Sequence, residues 1–373
     1  MTRKLTAFLL ILTLLAGSPP AAFADDPAPE KEGYTLDFSA EFNDGILDAA
    51  HWLPQYLPHC TASEAGASAR YEIRDGCLNL FIAKDSPDYF GGRPGSADPG
   101  NLLWIANGIQ TWEKNHLHSA GSQQKDVTPF EGYATQYGYF EMRMKLPDTG
   151  GGGYASWWLI GTQDDALPDG TESRQNGEID IFETFFKAPG RIEPRVHAWD
   201  DPNLREWAGH AALDGAPEDY VNSFHTYAMD WRPEGITFYV DGKPVAETAE
   251  SPQYRMCMIL SMYLNSDFSG WASAETAYPI EWLIDYVRVY KDNNGYHEEN
   301  RPTALERYLR EQGGPLCAFG LKLLLFFRNC FARCRRFLES CCRMDPGGGI
   351  GFQDHGPRGS KALTPDGSQR RIS

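Results

Sequence analysis

The chain of 373 residues is short of positive charge: 34 Lys and Arg stand against 51 Asp and Glu, a formal net charge of −17. A surface this acidic repels phosphate, which argues against nucleic acid or an anionic membrane as partner of the main body. Cysteine is sparse as well, at 8 residues, too few for a fold stapled by disulfides. No apolar run reaches the roughly 20 residues that a membrane-crossing helix needs. A glycine-rich phosphate loop, an ordered Ser-His-Asp set and a zinc-ligand spacing are all missing. So is any long 3.6-residue periodicity between Tyr34 and Lys291, which excludes a helical bundle. What remains abundant is 37 Gly, 25 Pro and 13% aromatic residues, the composition of a turn-rich β protein.

The charge is unevenly spread. Residues 296–373 carry 13 basic and 8 acidic residues, a net of +5, which leaves −22 on residues 1–295. Five cysteines (Cys317, Cys330, Cys334, Cys341, Cys342) fall in that basic tail, and only Cys60, Cys77 and Cys257 in the body. At the other end, Arg3 and Lys4 precede an apolar run from Leu5 to Gly17 and then Ala22-Phe23-Ala24. That is the pattern of a secretory signal peptide over residues 1–24, and it predicts an extracellular or periplasmic protein. Residues 25–33 read as a polar linker.

From Tyr34 the sequence breaks into short alternating runs. Phe140, Met142, Met144 and Leu146 alternate with Glu141, Arg143 and Lys145, the period-two pattern of a half-buried strand. Ile236 to Val240 runs into Asp241-Gly242, a hairpin signal. Trp282 to Tyr290 is another strand. Many antiparallel strands within residues 34–292 predict an all-β jelly-roll sandwich of two sheets in one domain. Beyond Asn293 the pattern changes. Leu323, Leu324, Phe327, Phe331, Cys334, Leu338 and Cys341 recur at helical spacing opposite Arg328, Arg335, Arg336 and Glu339. The tail 293–373 reads either as a basic amphipathic helix able to lie on a membrane surface or as a poorly ordered segment.

The most informative stretch is Asn176-Gly177-Glu178-Ile179-Asp180-Ile181-Phe182-Glu183-Thr184. On a regular strand Glu178 and Asp180 share a face and Glu183 turns away. One extra residue near Ile181-Phe182, a β-bulge, would restore the parity and gather all three carboxylates on one side. Such crowding raises at least one pKa, as acid–base chemistry near neutral pH requires. Two carboxylates held close together can divide the labour of retaining glycoside hydrolysis. A solvated strand face, or a cation site built from the three acids, is the competing reading.

The chain resembles glycoside hydrolase family 16, a family of β-jelly-roll enzymes that includes laminarinases, lichenases, agarases and carrageenases. Besides the carboxylate segment, the resemblance is carried in order by Phe38-Ser39-Ala40-Glu41-Phe42, Tyr137 to Pro147, Gly153 to Leu159, Phe224 to Trp231, Ile236 to Gly242 and Ile284 to Tyr290. It implies Glu178 as nucleophile, Glu183 as general acid/base and Asp180 as the residue that tunes the pair. The spacing is that of the laminarinase-like, bulged branch. The resemblance also implies a concave cleft, with Trp158, Tyr154, His197, Trp199 and Trp271 as sugar-binding candidates. No cofactor is expected for catalysis, but Glu41 and Asp285 match the positions of a structural calcium site in many members. The expected partner is a polysaccharide, and the expected state a monomer. β-1,3- or mixed β-1,3/1,4-glucan is the first substrate expectation. A galactan hydrolase or transglycosylase of the same family is the second, and a non-catalytic glycan-binding module a third reading.

Three departures leave substrate identity open. Glu172-Ser173-Arg174-Gln175 stands where laminarinases carry Trp-Pro, and Tyr263 to Phe268 replaces a Gly-rich, Trp-containing segment. An insertion around Ser86 to Asn115, with Trp104 and Trp112, is expected to form a cleft wall. Cys60 and Cys77 could pair as a disulfide in an exported protein, and Cys257 reads as a small buried residue.

Overall fold

In the strand Gly138–Lys145, Phe140, Met142 and Met144 are fully buried while Glu141, Arg143 and Lys145 between them reach solvent. The alternation written in the sequence thus becomes one wall of a core. The computed structural model describes residues 28–91, 104–114, 124–162, 174–199, 201–265 and 268–297, together with 302, 306–307 and 322–323. Among them are two large antiparallel sheets. In the eight-stranded sheet the order is Lys243–Thr248, Gly235–Val240, His225–Arg232, Gly138–Lys145, Ile280–Asp292, Cys77–Ile82 and Tyr71–Arg74, with Tyr34–Ala40 also paired to Ile280–Asp292. In the seven-stranded sheet it is Trp207–Ala208, Arg195–His197, Glu178–Phe185, Tyr154–Gly161, Met256–Asn265 and Trp104–Gln110, with Ala134–Thr135 added to Met256–Asn265.

Residues from both sheets meet in one apolar cluster. Phe140, Met142, Met229, Trp231, Trp282 and Ile284 come from the larger sheet; Trp157, Leu159, Ile179, Phe182, Met258 and Leu260 from the smaller. This is the expected two-sheet sandwich, whose inner faces exclude water from large side chains at about 25 cal/mol per Å² of apolar surface. A second cluster lies on the other face of the seven-stranded sheet. There Tyr154, Trp158, Cys257 and Tyr263 meet Tyr56, Leu57, Tyr89 and Trp112. Cys257 is buried, as its neighbours suggested.

Strand Gly235–Val240 turns back into Lys243–Thr248 through Asp241 and Gly242, both with positive φ (49° and 72°). That is the two-residue primed turn whose twist matches an antiparallel pair, and Asp and Gly are the residues that tolerate it. The edge strand it creates carries Lys243 and Pro244 at its start.

Three expectations change. Part of the stretch read as an insertion, Trp104–Gln110, is a full strand pairing with Met256–Asn265 from Ile259↔Gln110 to Asn265↔Trp104. Packing also runs past residue 292: the Tyr296 ring lies 5.3 Å from that of Tyr137, Arg307 Nη1 approaches Glu250 at 3.6 Å, and the first compact unit spans Met1–Tyr308. Cys60 and Cys77 are free thiols, because Cys77 opens a strand of the larger sheet whereas Cys60 packs on the outward cluster of the smaller one. The expected leader at 1–24 lies outside the described residues, as does nearly all of the second unit, Leu309–Ser373.

Trp157 fills the centre of the sandwich with no exposed surface. Trp157→Ala is expected to cost about 3–5 kcal/mol of unfolding free energy in urea titration; a loss under about 1 kcal/mol would show that the sheets close over the vacancy.

Candidate active site

The three carboxylates stand on the strand Glu178–Phe185, and its pairing explains how they come together. Against Tyr154–Gly161 the partners are Glu178↔Ile160, Ile179↔Leu159 and Asp180↔Trp158, then Phe182↔Trp157 and Glu183↔Ser156, so that Ile181 has no opposite number. Ile181 and Phe182 are consecutive yet both sit in the inter-sheet core. Two apolar side chains in a row demand burial on the same side, and the bulge lets both have it. Glu183 is thereby returned to the face of Glu178 and Asp180. The other edge of the strand pairs with Arg195–His197 through Glu178↔His197 and Asp180↔Arg195.

Each acid has its own surroundings. Glu178 is buried, and its Oε2 accepts a hydrogen bond from Trp199 Nε1 at 2.9 Å. Asp180 is more deeply buried. Its carboxyl is pushed well above the usual carboxylate range by burial first, then by the charge of Glu178 and a hydrogen bond shared with it. His197 Nε2 lies 3.6 Å from Asp180 Oδ2, while its Nδ1 is held by Glu206 at 2.8 Å. Glu206 is fixed in turn by accepting from Ala198 N at 2.8 Å. Glu183 accepts from the Tyr154 hydroxyl and pairs with Arg195 Nε at 2.7 Å. Burial raises it to about 7, against the lowering effect of Arg195 and His197. Arg195 is shared with Glu193, at 2.7 Å from Nη2.

The result is one face on which burial and Glu178 disfavour the charge of Asp180, and Glu183 titrates near neutrality. Chemically this suits a nucleophile and an acid/base acting from one surface. The ligand atoms of Glu178, Asp180 and His197 also lie within 4.8 Å of one another. A cation bound there would meet a carboxyl whose charge burial disfavours.

The sugar-binding candidates divide. Trp199 is 55% exposed, and its ring lies 5.3 Å from that of His197 beside Glu178. Tyr154 is buried and serves Glu183 directly. Trp271 is 40% exposed, and its carbonyl accepts from Gly152 N at 2.8 Å, just before Tyr154. Trp158, the expected platform, is only 4% exposed. Its Nε1 donates to Ser261 Oγ at 3.0 Å, and it belongs to the buried cluster that holds Tyr56, Tyr89 and Trp112. It supports the cleft floor and offers no open face.

Calcium at Glu41 and Asp285 does not fit this arrangement. Glu41 accepts from Arg288 Nε at 2.7 Å and Nη2 at 2.6 Å, and Asp285 pairs with Arg143. Guanidinium groups already supply the positive charge that a cation would bring.

Three residues at the site escaped the sequence reading. Arg195 stands two positions before His197 on one strand, so parity alone would have placed both on the carboxylate face. Glu206 belongs to a loop and carries no such signal. Phe268, 41% exposed with its ring 5.2 Å from that of Tyr154, follows a stretch too irregular to assign a face.

Residues 128–288 match the model of glycosyl hydrolases family 16. The chain is 24% identical over 293 residues to a glucan endo-1,3-beta-glucosidase A1 from Niallia circulans, covering 71% of this chain and 39% of the relative. It is 29% identical over 280 residues to endo-1,3-1,4-beta-glycanase EglC from Rhizobium meliloti, covering 72% and 54%. The chain therefore spans about half or less of the length of these relatives. Among solved structures, a GlcNAcα1-4Gal-releasing endo-β-galactosidase from Clostridium perfringens superposes with a TM-score of 0.64 at 35% identity, covering 73% of this chain and 66% of that one. Residues 128–288, which carry the bulge and the carboxylate trio, belong to glycosyl hydrolase family 16.

Proposed function

We propose that this protein is an exported, retaining endo-β-glycosidase that hydrolyses a β-1,3- or mixed β-1,3/1,4-glucan. The observation that carries the reading is the bulge at Ile181, which gathers Glu178, Asp180 and Glu183 on one face. Glu178 attacks the anomeric carbon as Glu183 passes its proton to the leaving oxygen; Glu183 then takes a proton from the water that releases the sugar from Glu178. Asp180, protonated beside Glu178, orients the nucleophile and spreads the charge that it gives up on forming the ester. The basic, then apolar, then small-residue start of the chain supports export. The relative named as a glucan endo-1,3-beta-glucosidase supports the glucan, and the one named as an endo-1,3-1,4-beta-glycanase supports the linkage. A galactosidic substrate is the second reading, favoured by the 35% identity to an endo-β-galactosidase.

Glu178→Gln and Glu183→Gln are each expected to lower reducing-sugar release at least about 10²-fold while leaving the folded spectrum intact. Azide should restore turnover to Glu178→Ala and Glu183→Ala with opposite product anomers. The same anomer from both would remove the assigned roles.

A carboxyl that titrates near 7 and must be protonated to act gives an activity that falls as pH rises through that value. Arg195 lowers Glu183, so Arg195→Gln should move the descending limb of kcat upward by about one pH unit. A limb that stays in place or moves down would mean that Glu183 is not the acid.

Laminarin and lichenan should yield short oligosaccharides from the full chain, with agarose and GlcNAcα1-4Gal-capped glycans left intact. Cleavage confined to the last two would overturn the glucan reading in favour of the galactosidic one.

A further inference from the structure

The residues of the outward aromatic cluster include a polar chain that the glycosidase chemistry does not use. His59 and Glu113 are both wholly buried, with His59 Nδ1 2.7 Å from Glu113 Oε1. The other imidazole nitrogen, Nε2, lies 3.1 Å from Cys60 Sγ. Glu113 is held from its far side by Gln110 Nε2 at 2.7 Å, and Gln110 Oε1 accepts from Leu57 N at 2.8 Å. The short helical turn Pro58–Cys60 is pinned by Tyr89, whose hydroxyl donates to the Leu57 carbonyl at 2.8 Å. Carboxylate, imidazole and sulfur thus lie next to one another, Glu113 on one side of the ring and Cys60 on the other.

Burial alone would strip the imidazole of its proton; the hydrogen bonds to Cys60 and Glu113 outweigh that and hold His59 up to about 10. With Nε2 at 3.1 Å from Cys60 Sγ, the imidazole is placed to exchange a proton with the thiol, whose deprotonated form is the one that attacks electrophiles. The other titratable groups around the sulfur are the phenols of Tyr56 and Tyr89, both pushed up by burial and neutral. Cys60 is half-buried, whereas Cys257 is fully enclosed. The contrast is with Cys77 and Cys257, whose thiols burial pushes up to about 11 and about 12.

We propose that Cys60 is a built nucleophilic thiol, activated by His59 and Glu113, that accepts small-molecule disulfides. The sulfur attacks one sulfur of the reagent and a new S–S bond forms as the old one breaks. The departing half leaves as a thiolate that takes a proton from solvent, with no net change in oxidation state. Cys60 packs on the cluster that holds Tyr154 and Trp158, and Tyr154 donates to Glu183. An adduct at Cys60 therefore disturbs the support of the acid/base, a coupling that rests on the glycosidase reading.

The test is site-resolved mass spectrometry of the full chain under limiting iodoacetamide at pH 6.5, native and in urea. An ordinary thiol is about 1% ionised at that pH. A thiol whose proton the neighbouring imidazole can take predicts native Cys60 labelling about tenfold faster than unfolded Cys60. His59→Gln should erase the difference. Native labelling no faster than unfolded would overturn the proposal, whether or not the His59 variant folds. In a second arm, cystine should add to Cys60 and lower glucan hydrolysis several-fold, reversed by dithiothreitol and absent from Cys60→Ser. An adduct without loss of activity would overturn the coupling. Untreated chain inactive on every glycan would instead tell against the glycosidase reading.

Discussion

Two neighbouring apolar side chains that both require the core decide the site. Ile181 and Phe182 cannot share one face of a regular strand, and burying either on the outward face would expose a large apolar surface beside three acids. The strand takes up the extra residue instead, with its pairing partner Trp157 fixed against the larger sheet. The hydrophobic effect, acting on residues that never meet substrate, sets the parity of those that do.

Holding three carboxylates in a body of net charge −22 is unfavourable unless each finds a distinct partner. Glu183 has a tyrosine and an arginine, Glu178 an indole N–H, and Asp180 a buried setting that holds its carboxyl above the usual range. The outer partners are acids again: Glu193 on Arg195 and Glu206 on His197. Arg195 is partly exposed, so its pairing contributes little to stability. Its weight falls on how readily Glu183 keeps a proton. Positive charge is scarce along the chain, and here it is placed where it biases chemistry.

What the sequence made legible follows from local rules. Strand parity alone separates the inward and outward residues of Gly138–Lys145, and parity plus one bulge gathers the acids. The Asp-Gly pair marks its hairpin. What stayed hidden depends on segments remote in sequence. Trp158 has the parity of a cleft residue, but its exposure is decided by Tyr56, Tyr89 and Trp112, which fold over it from elsewhere. Glu41 and Asp285 look like metal ligands until Arg288 and Arg143 are placed beside them. His59 and Cys60 are adjacent in the chain, yet the carboxylate that gives them meaning arrives on another strand.

The edge strand Lys243–Thr248 also bears on how copies of this molecule meet. Pro244 offers no amide hydrogen, and Lys243 places a charge next to the gap. A strand from a second copy approaching along that border would find its ladder interrupted at the second rung. Growth by adding strands is therefore disfavoured at this border by a donor that the backbone lacks.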